Sequence, residues 1–511
     1  MNLKILYITL GILSTELLAA QNQTMEMSLE QVVKIARLES PDARTARHSF
    51  RSAYWNYKYY RANYLPSLSL SSDPNLNRAI NKITMGDGSV KFVEQNLLNT
   101  DLTLNLSQNI PWTGGSLFLE TSAQRMDLFS EHKYSWQTSP VMIGYRQSLF
   151  GYNSLKWDKR IEPVRYQEAK KSYVETLELV SANAINKFFA LATAQSNYDI
   201  ASFNYANADT LYRYAQGRYN IGTITENEML QLELNRLTEE TNRMNARIEM
   251  DNCMQELRSY LGIQEDRELR VRINSQVPDF SVNLDEALVL AYENSPDIQT
   301  MKRRKLESES AVARARANAG LKADIYLRFG LTQTAEKLPD AYRNLLDQQY
   351  VSLSIALPIL DWGRGKGQVR VARSNRDLVY TQVEQNRTDF ELNVRKLVKQ
   401  FNLQTQRVRI AARTDETAQR RNEVARKLYI LGKSTILDLN ASIAEKDSAR
   451  RNYVSALYNY WSLYYTLRSM TLYDFERSTL LTEDYNLLIE EQLTHSAVIN
   501  KNMKYLIKSW I

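Results

Sequence analysis

Cysteine, histidine, proline and glycine are all scarce in this chain. Cys253 is the single cysteine, and His48, His132 and His495 are the three histidines. One thiol excludes a disulfide framework and a thiolate metal cluster. Three histidines in unrelated regions give no shared ligand sphere, so no metal site is expected. Sixteen glycines and ten prolines in 511 residues fall far below the usual ~7% and ~5%. A chain with so little punctuation cannot be a many-turned β sandwich or a string of small domains. Charge of one sign is also lacking: 65 Lys and Arg against 58 Asp and Glu leave a net +7. No basic patch concentrates that excess, so nucleic acid is not expected as a partner. With 43% hydrophobic and 24% charged residues, wholesale disorder is excluded as well. Beyond residue 20 there is no uninterrupted apolar run of about 18 residues, hence no later transmembrane helix.

The first residues read as an address. Met1-Asn2-Leu3-Lys4 carries one positive charge, Ile5 to Leu18 is apolar, and Leu18-Ala19-Ala20 ends in small residues. This pattern is a secretory signal over 1–20, cleaved before Gln21. No cysteine follows it to take a lipid. Any membrane span of an exported chain without apolar helices has to be built from strands.

Breaker residues then divide the chain. Proline is absent from 164–277 and from 359–511; between 152 and 261 glycine occurs only at Gly217 and Gly222, and after Gly367 only at Gly432. These stretches are expected to be long helices, each broken once. A helix from about 155 to 219 spans roughly 97 Å at 1.5 Å per residue. Phe390, Val394, Leu397, Phe401 and Val408 step by coiled-coil intervals, a thin stripe that needs neighbours along its whole length.

Between the helical blocks the period changes to two. Leu68 and Leu70 alternate with serines, Leu102, Leu104 and Leu106 with Thr103, Asn105 and Ser107, and Leu117 and Leu119 lie in 115–124. Val141, Ile143 and Tyr145 follow; in the second half come Ile325, Leu327, Phe329 and Leu331, then Val351, Leu353, Ile355 and Leu357. Each segment has roughly the 9–11 residues of a tilted membrane strand. An ordinary half-buried sheet fits the alternation equally well. Trp112, Trp157 and Trp362 favour the membrane, because each stands just beyond such a segment, where an interfacial aromatic belt belongs.

The chain also repeats itself. LEQVVKIARLESPD over Leu29–Asp42 matches LDEALVLAYENSPD over Leu284–Asp297, and Tyr219 to Gly222 matches Tyr429 to Gly432. Each half runs short helix, strands, very long helix, glycine turn, long helix. The halves are 21–281 and 282–475, with strands at about 64–150 and 323–360, and a tail follows at 476–511. The first half carries an additional hairpin, 101–124, turning at Pro111-Trp112-Thr113-Gly114-Gly115.

In this order and spacing the chain resembles the TolC-type outer-membrane efflux proteins. Leu357-Pro358-Ile359-Leu360-Asp361-Trp362-Gly363-Arg364 is similar to that family's strand-to-helix element, and Leu106 to Ile110, Gln147 to Gly151 and Tyr429 to Ala441 also resemble it. The resemblance covers about 27–475. It implies a mainly α fold with membrane β: a long antiparallel α-helical coiled-coil tunnel, with strands contributed to a trimeric outer-membrane β-barrel. It further implies a homotrimer in outer-membrane lipid, extending into the periplasm, that docks to a periplasmic adaptor and an inner-membrane transporter as a passive exit duct. A periplasmic coiled-coil scaffold or adaptor without a barrel is the competing reading.

Chemical motifs are few. Gly363-Arg364-Gly365-Lys366-Gly367 has glycines for a phosphate cradle but lacks the P-loop spacing, so a turn at the membrane edge is the plainer reading. Cys253 reads as a small buried hydrophobe. Glu239-Glu240 and Glu490-Glu491 are adjacent rather than three or four apart, and nothing pairs as nucleophile and base. No enzyme activity and no cofactor are expected. At the helical turns Gly222 and Gly432 suit left-handed helix ends, and Thr225 with Glu228 and Thr435 with Asp438 form capping boxes. The resemblance adds a second role, with Gly222, Thr225, Gly432 and Thr435 at an adaptor-docking turn and Asp438, with Glu228, at a closed periplasmic aperture. The family's second aspartate position is Ala441 here, so the resemblance supports a charge ring of one tier.

Overall fold

The computed structural model describes residues 25–129, 131–264, 268–274, 276–431, 433–486 and 488–489. The expected signal segment, Gly432, His495, Glu490-Glu491 and the last part of the tail lie outside them. In chain order the elements of the first half are β1 (Met25–Ser28), α1 (Leu29–Glu39), α2 (Pro41–Ala62), β2 (Ser67–Ser72), β3 (Asn75–Thr84), β4 (Val90–Ile110), β5 (Gly115–Leu128), β6 (Lys133–Ser148), α3 (Ser154–Asn220) and α4 (Glu226–Leu261). Then come β7 (Leu269–Arg272), α5 (Leu284–Asn294), α6 (Pro296–Ala319), β8 (Lys322–Ala335), β9 (Leu346–Ala356), α7 (Arg364–Ile430), α8 (Ile436–Thr471), β10 (Tyr473–Asp474) and β11 (Thr479–Leu480). The residues group into two compact units.

The first unit holds the described residues up to 51, 169–298 and from 388 onward. It is helical, with two small sheets that sequence patterns did not disclose: β1 pairs in parallel with β7, and β10 pairs with β11. Short helices start on side-chain caps. Ser28 and Gln31 close a capping box at α1, and Asn283 accepts from the N–H groups of Asp285 and Glu286 at α5, each satisfying donors that a helix start leaves open. The core is aromatic: Phe188, Phe401, Tyr460 and Tyr464 are fully buried. Burying a side chain of this kind is worth about 1.5–3 kcal/mol. Phe280, Phe401 and Tyr464 meet with ring centroids 5.3–5.8 Å apart. The buried hydroxyls are satisfied, Tyr460 donating to the Pro278 carbonyl at 2.7 Å and Tyr464 to Asp474 Oδ1 at 2.6 Å. Part of the tyrosine surplus (31 residues) is thereby explained, since these positions need bulk with a polar end.

An ion network closes the same unit. Glu178 on α3 is fully buried and held by Arg37 of α1 and by Arg468 Nε of α8 at 2.9 Å. Arg468 Nη1 reaches Asp474 Oδ2 at 3.0 Å, and Arg37 Nη2 reaches Glu483 Oε1 at 2.7 Å. Burial alone pulls the Arg468 guanidinium down, but the facing Glu178 carboxylate outweighs it and holds the charge on. Burial pushes the Asp474 carboxyl up, yet hydrogen bonds from Tyr464 and the Arg477 N–H, with Arg468 beside it, keep it below the usual range. The tail is docked here as well: Tyr485 donates to the Lys170 carbonyl at 3.3 Å and packs 5.1 Å from the Phe50 ring, while Arg51 Nε donates to the Leu488 carbonyl at 2.8 Å. Cys253 corrects an expectation. The buried stripe of α4 runs through Met250, Leu257 and Leu261, and Cys253 sits beside it, half-exposed.

The second unit, 52–168 with 299–387, contains one antiparallel sheet. Its order is β2-β4-β5-β6-β8-β9, with β3 also on β4. β2 pairs with Ser107 to Leu102 and β3 with Asn99 to Val90, so they lie end to end along one partner. Pro74, which has no N–H to donate, stands at the break. Counted across, the wall is six strands wide, and the hairpin 101–124 is inside it. Strands expected at 9–11 residues are longer: β4 has 21, and β5 and β6 have 14 and 16. The excess lies in 90–100 of β4, 125–128 of β5 and 133–139 of β6, and in 75–100, which includes β3, the alternation is broken by Asn, Arg and Lys. Among the described residues β2 and β9 each pair on one side only.

Candidate functional site

Pairing register decides what each face of the sheet presents. Leu68 faces Leu106, Leu106 faces Leu119, Leu119 faces Ile143, and Ile143 faces Phe329. One row away, Leu117 faces Tyr145, Tyr145 faces Leu327, and Leu327 faces Val351. Every apolar position of the period-two segments thus falls on one face. It is uncovered: Leu68, Ile143, Val351 and Leu353 are 66%, 51%, 65% and 58% exposed. The other face carries Ser67, Asn105, Ser107, Glu120, Arg146, Arg328 and Ser352. A bare apolar face this wide would aggregate in water, and it matches the hydrocarbon of a bilayer. Among the described residues no helix is long and apolar enough to cross a membrane.

The three tryptophans stand at one end of the strands. Trp112 lies in the turn between β4 and β5 and is 82% exposed; Trp362, between β9 and α7, is 91% exposed with φ 54°. Trp157 occupies the first turn of α3, with the Arg160 guanidinium 4.8 Å over its ring. Beside Trp362 the glycine loop is already occupied. Asp361 accepts from the Gly363 N–H at 2.9 Å and the Gly365 N–H at 2.8 Å, which lowers its pKa. The N–H groups that a phosphate would use are filled by the chain's own carboxylate, a helix-start cap.

At the far ends of α3 and α4 the turn is built as the sequence suggests. Gly222 has φ 74° with nothing near its missing Cβ. Thr225 accepts from the Glu228 N–H at 3.3 Å, and Glu228 accepts from the Thr225 N–H at 3.0 Å. The α7–α8 turn repeats this with Thr435 and Asp438, at 3.2 and 3.3 Å. Asp438 also accepts from the hydroxyls of Thr435 at 2.7 Å and Ser434 at 3.2 Å. These bonds hold its pKa below the usual carboxylate value, so it is ionised at neutral pH. Its oxygens face its own cap, while the side chain remains open to solvent. Leu437, Ile221 and Leu431 are 76%, 74% and 67% exposed at the turns, which makes them apolar knobs. Sequence reading missed these residues, and also Phe118 on the polar sheet face; their signal was a large apolar residue at a position the pattern assigns to solvent.

A sheet with one lipid-suited face, built into a chain whose two longest helices, α3 and α7, each run about 100 Å, defines an outer-membrane channel with a helical extension. The chain belongs to the outer membrane efflux protein family, whose model matches residues 32–263 and 287–471, one stretch in each half. It resides in the outer membrane, extends into the periplasm, and is the outer-membrane channel of an efflux system. The CmeC outer membrane channel of Campylobacter jejuni is similar in fold, with a TM-score of 0.65 at 16% identity over 91% of this chain and 88% of that one. The outer membrane protein VceC of Vibrio cholerae gives 0.61 at 14% identity over 87% and 95%. A membrane protein from Pseudomonas aeruginosa gives 0.62 at 12% identity over 89% and 92%. No curated protein matches this chain in sequence.

Proposed function

We propose that three copies of this chain close one barrel and one tunnel, which act as a passive exit duct without catalytic chemistry or cofactor. The observation that carries this reading is the six-strand wall with an apolar band across one face and, among the described residues, an unpaired edge at β2 and at β9. Six strands with the tilt a barrel requires do not close on themselves around a channel. Joining β9 of one copy to β2 of the next satisfies both edges, and three copies of a six-strand wall make eighteen strands, a number that leaves a water-filled lumen. Trp112, Trp157 and Trp362 then form the periplasmic aromatic belt against outer-membrane lipid, with Lys156, Lys159 and Arg160 beside phosphate head groups.

The helical turns take two roles. Gly222, Thr225, Gly432 and Thr435, with the apolar knobs around them, form the surface on which a periplasmic adaptor docks to link the duct to an inner-membrane transporter. Asp438, with Glu228, lines the periplasmic aperture. Three ionised Asp438 carboxylates repel by about 1 kcal/mol per pair at 4 Å in water, so such a ring attracts cations and is opened by partners rather than by its own strain. Native mass measurement of the full-length protein in detergent, together with single-channel recording in a planar bilayer, tests the duct. A conducting trimer is the expected result, and a monodisperse monomer overturns it. Co-purification with a cross-linked adaptor, lost on charging the Leu437 and Ile221 knobs, tests the docking surface.

A further inference from the structure

Across its middle rows the inner face of the sheet carries mostly polar side chains, with the buried Met142 and an aromatic cluster among them. Phe118 of β5 lies flat across Gly144 of β6, where a Cβ would come within 2.0 Å of the Phe118 Cζ. Only a residue without a side chain lets that ring cross to the next strand but one. There it stacks on Tyr326 of β8 with centroids 5.9 Å apart and planes 23° from parallel. Tyr326 in turn meets Tyr350 of β9 edge-on at 5.8 Å. Three rings thus form a row spanning four neighbouring strands, on the face opposite the lipid-suited one.

Charge is arranged around this row. Arg146, directly opposite Tyr326 in the ladder, holds its guanidinium 5.5 Å over that ring. Arg328, opposite Tyr350, donates through Nη2 to Glu120 Oε1 at 3.3 Å, and its Nε has no hydrogen-bond partner. In the neighbouring row the Asn105 Oδ1 and Gln348 Oε1 atoms are also buried without partners. Within the row two arginines stand against one carboxylate, Lys322 and Asp324 further along the same face of β8 offset each other, and Arg146 and Tyr350 are exposed on the face that cargo would pass. Tyr350 is the open ring of the row, backed by half-buried Tyr326 and buried Phe118, and such an aromatic surface beside cations fits a ligand with a planar π system and a negative charge.

We propose that Phe118, Tyr326 and Tyr350 with Arg146 and Arg328 form a ledge on the inner wall that binds planar aromatic anions. The proposal rests on the channel reading for its place in the lumen, and deepens it by naming a cargo chemistry. One ledge per copy gives three in the trimer, at one height. The rings select planarity, Arg146 and Arg328 select the sign of charge, and Glu120 positions Arg328.

Equilibrium dialysis of the full-length protein in phosphatidylcholine nanodiscs, with empty nanodiscs as the blank, tests it. The probes are 1-naphthoate, cyclohexanecarboxylate (same charge, no ring face) and 1-naphthylmethylamine (same rings, opposite charge). Naphthoate is expected to bind at least about tenfold more tightly than either, and Tyr326→Leu and Arg146→Gln are each expected to weaken it about fivefold. Retained β-sheet circular dichroism identifies variants that still fold, and Ser352→Ala in the same row should leave binding unchanged. Equal binding of the three probes overturns the ledge, and so does naphthoate binding that survives both substitutions. The bilayer recording separates the two readings: conduction without selective binding removes the ledge alone, whereas selective binding by a protein that never conducts removes the channel reading and keeps the site.

Discussion

The long helices of the first half run 67 and 36 residues, and those of the second half have the same two lengths. Ser154 and Arg364 begin them, Leu261 and Thr471 end them, and every boundary between differs by 210 positions. The strand regions do not agree: the first half contributes a wall four strands wide, the second only β8 and β9. The two kinds of element are under different constraints. A helix pair that crosses a fixed gap cannot lose a turn without carrying its tip about 5 Å out of line. A sheet accepts strands in pairs, because a hairpin returns the chain to the edge it left and the next helix starts where it did before. Length is therefore fixed in the helices, and width is negotiable in the sheet.

The largest effect should come from breaking what the first half does not share with the second. Arg468→Ala leaves buried Glu178 with Arg37 alone, where the position 210 further on is Thr388. Removing one partner of a buried ion pair costs about 3–5 kcal/mol, so thermal unfolding should show a loss of this size. A loss under 1 kcal/mol would mean that water already reaches the site. Next in size is a change of width. Excising 90–128, which joins β3 to β6, reduces the first half to two strands like the second. Barrel diameter scales about linearly with strand number, so if three copies share one barrel as proposed, the single-channel conductance should fall by roughly half while the helices stay intact by circular dichroism.

A smaller effect separates the two turns. Asp438→Asn removes a charge that is present at neutral pH but keeps a hydrogen-bonding side chain at the cap. Reversal-potential measurements should show weaker cation selectivity without a change in melting temperature. If stability falls while selectivity holds, Asp438 serves only its helix. Smallest is Glu175→Gln, which gives the first half the glutamine that the second has at Gln385. Burial, with Asp297 nearby, pushes the Glu175 carboxyl up to about 7. The folded state then holds a proton that the unfolded chain releases, so stability declines as pH rises from about 4.5 to 7. Glu175→Gln should raise the melting temperature by a few degrees at pH 8 and leave it unchanged at pH 4, as read by differential scanning fluorimetry.

Much of this architecture is legible from residues alone, for definite reasons. The ends of α3 fall within a residue of the expected 155–219, because Gly222 and the prolines are rare enough to mark them, whereas the short helix expected in each half is two, broken before Pro41 and Pro296. The six strands across the wall were visible because each buries nothing on one face and so alternates strictly. The stretch 75–100 was not, because its apolar residues Leu76, Ile80 and Phe92 are too widely spaced among Asn, Arg and Lys to show a period. β1 and β7 pair in parallel across more than 240 residues over four positions each, far too short for a pattern. The contact between Glu178 and Arg468 joins positions 290 apart, and no local rule brings them together. At the site, the caps of Thr225 and Thr435 follow from a four-residue spacing, whereas the Phe118–Tyr326 stack depends on a register that only the folded sheet fixes.

The interval between Glu178 and Arg468 also has a meaning in time. An exported chain emerges from its amino end, so Glu178 leaves the translocation machinery well before the arginine that neutralises it. Until α8 arrives, α3 carries an acidic group that its own neighbours do not fully compensate, and α1 can offer only Arg37. Glu483, the other claimant on Arg37, comes later still. A chain cut short anywhere before residue 468 is thus left with an interior it cannot neutralise. Completeness of synthesis becomes a condition of stability, and unfinished copies should remain substrates for envelope proteases instead of assembling.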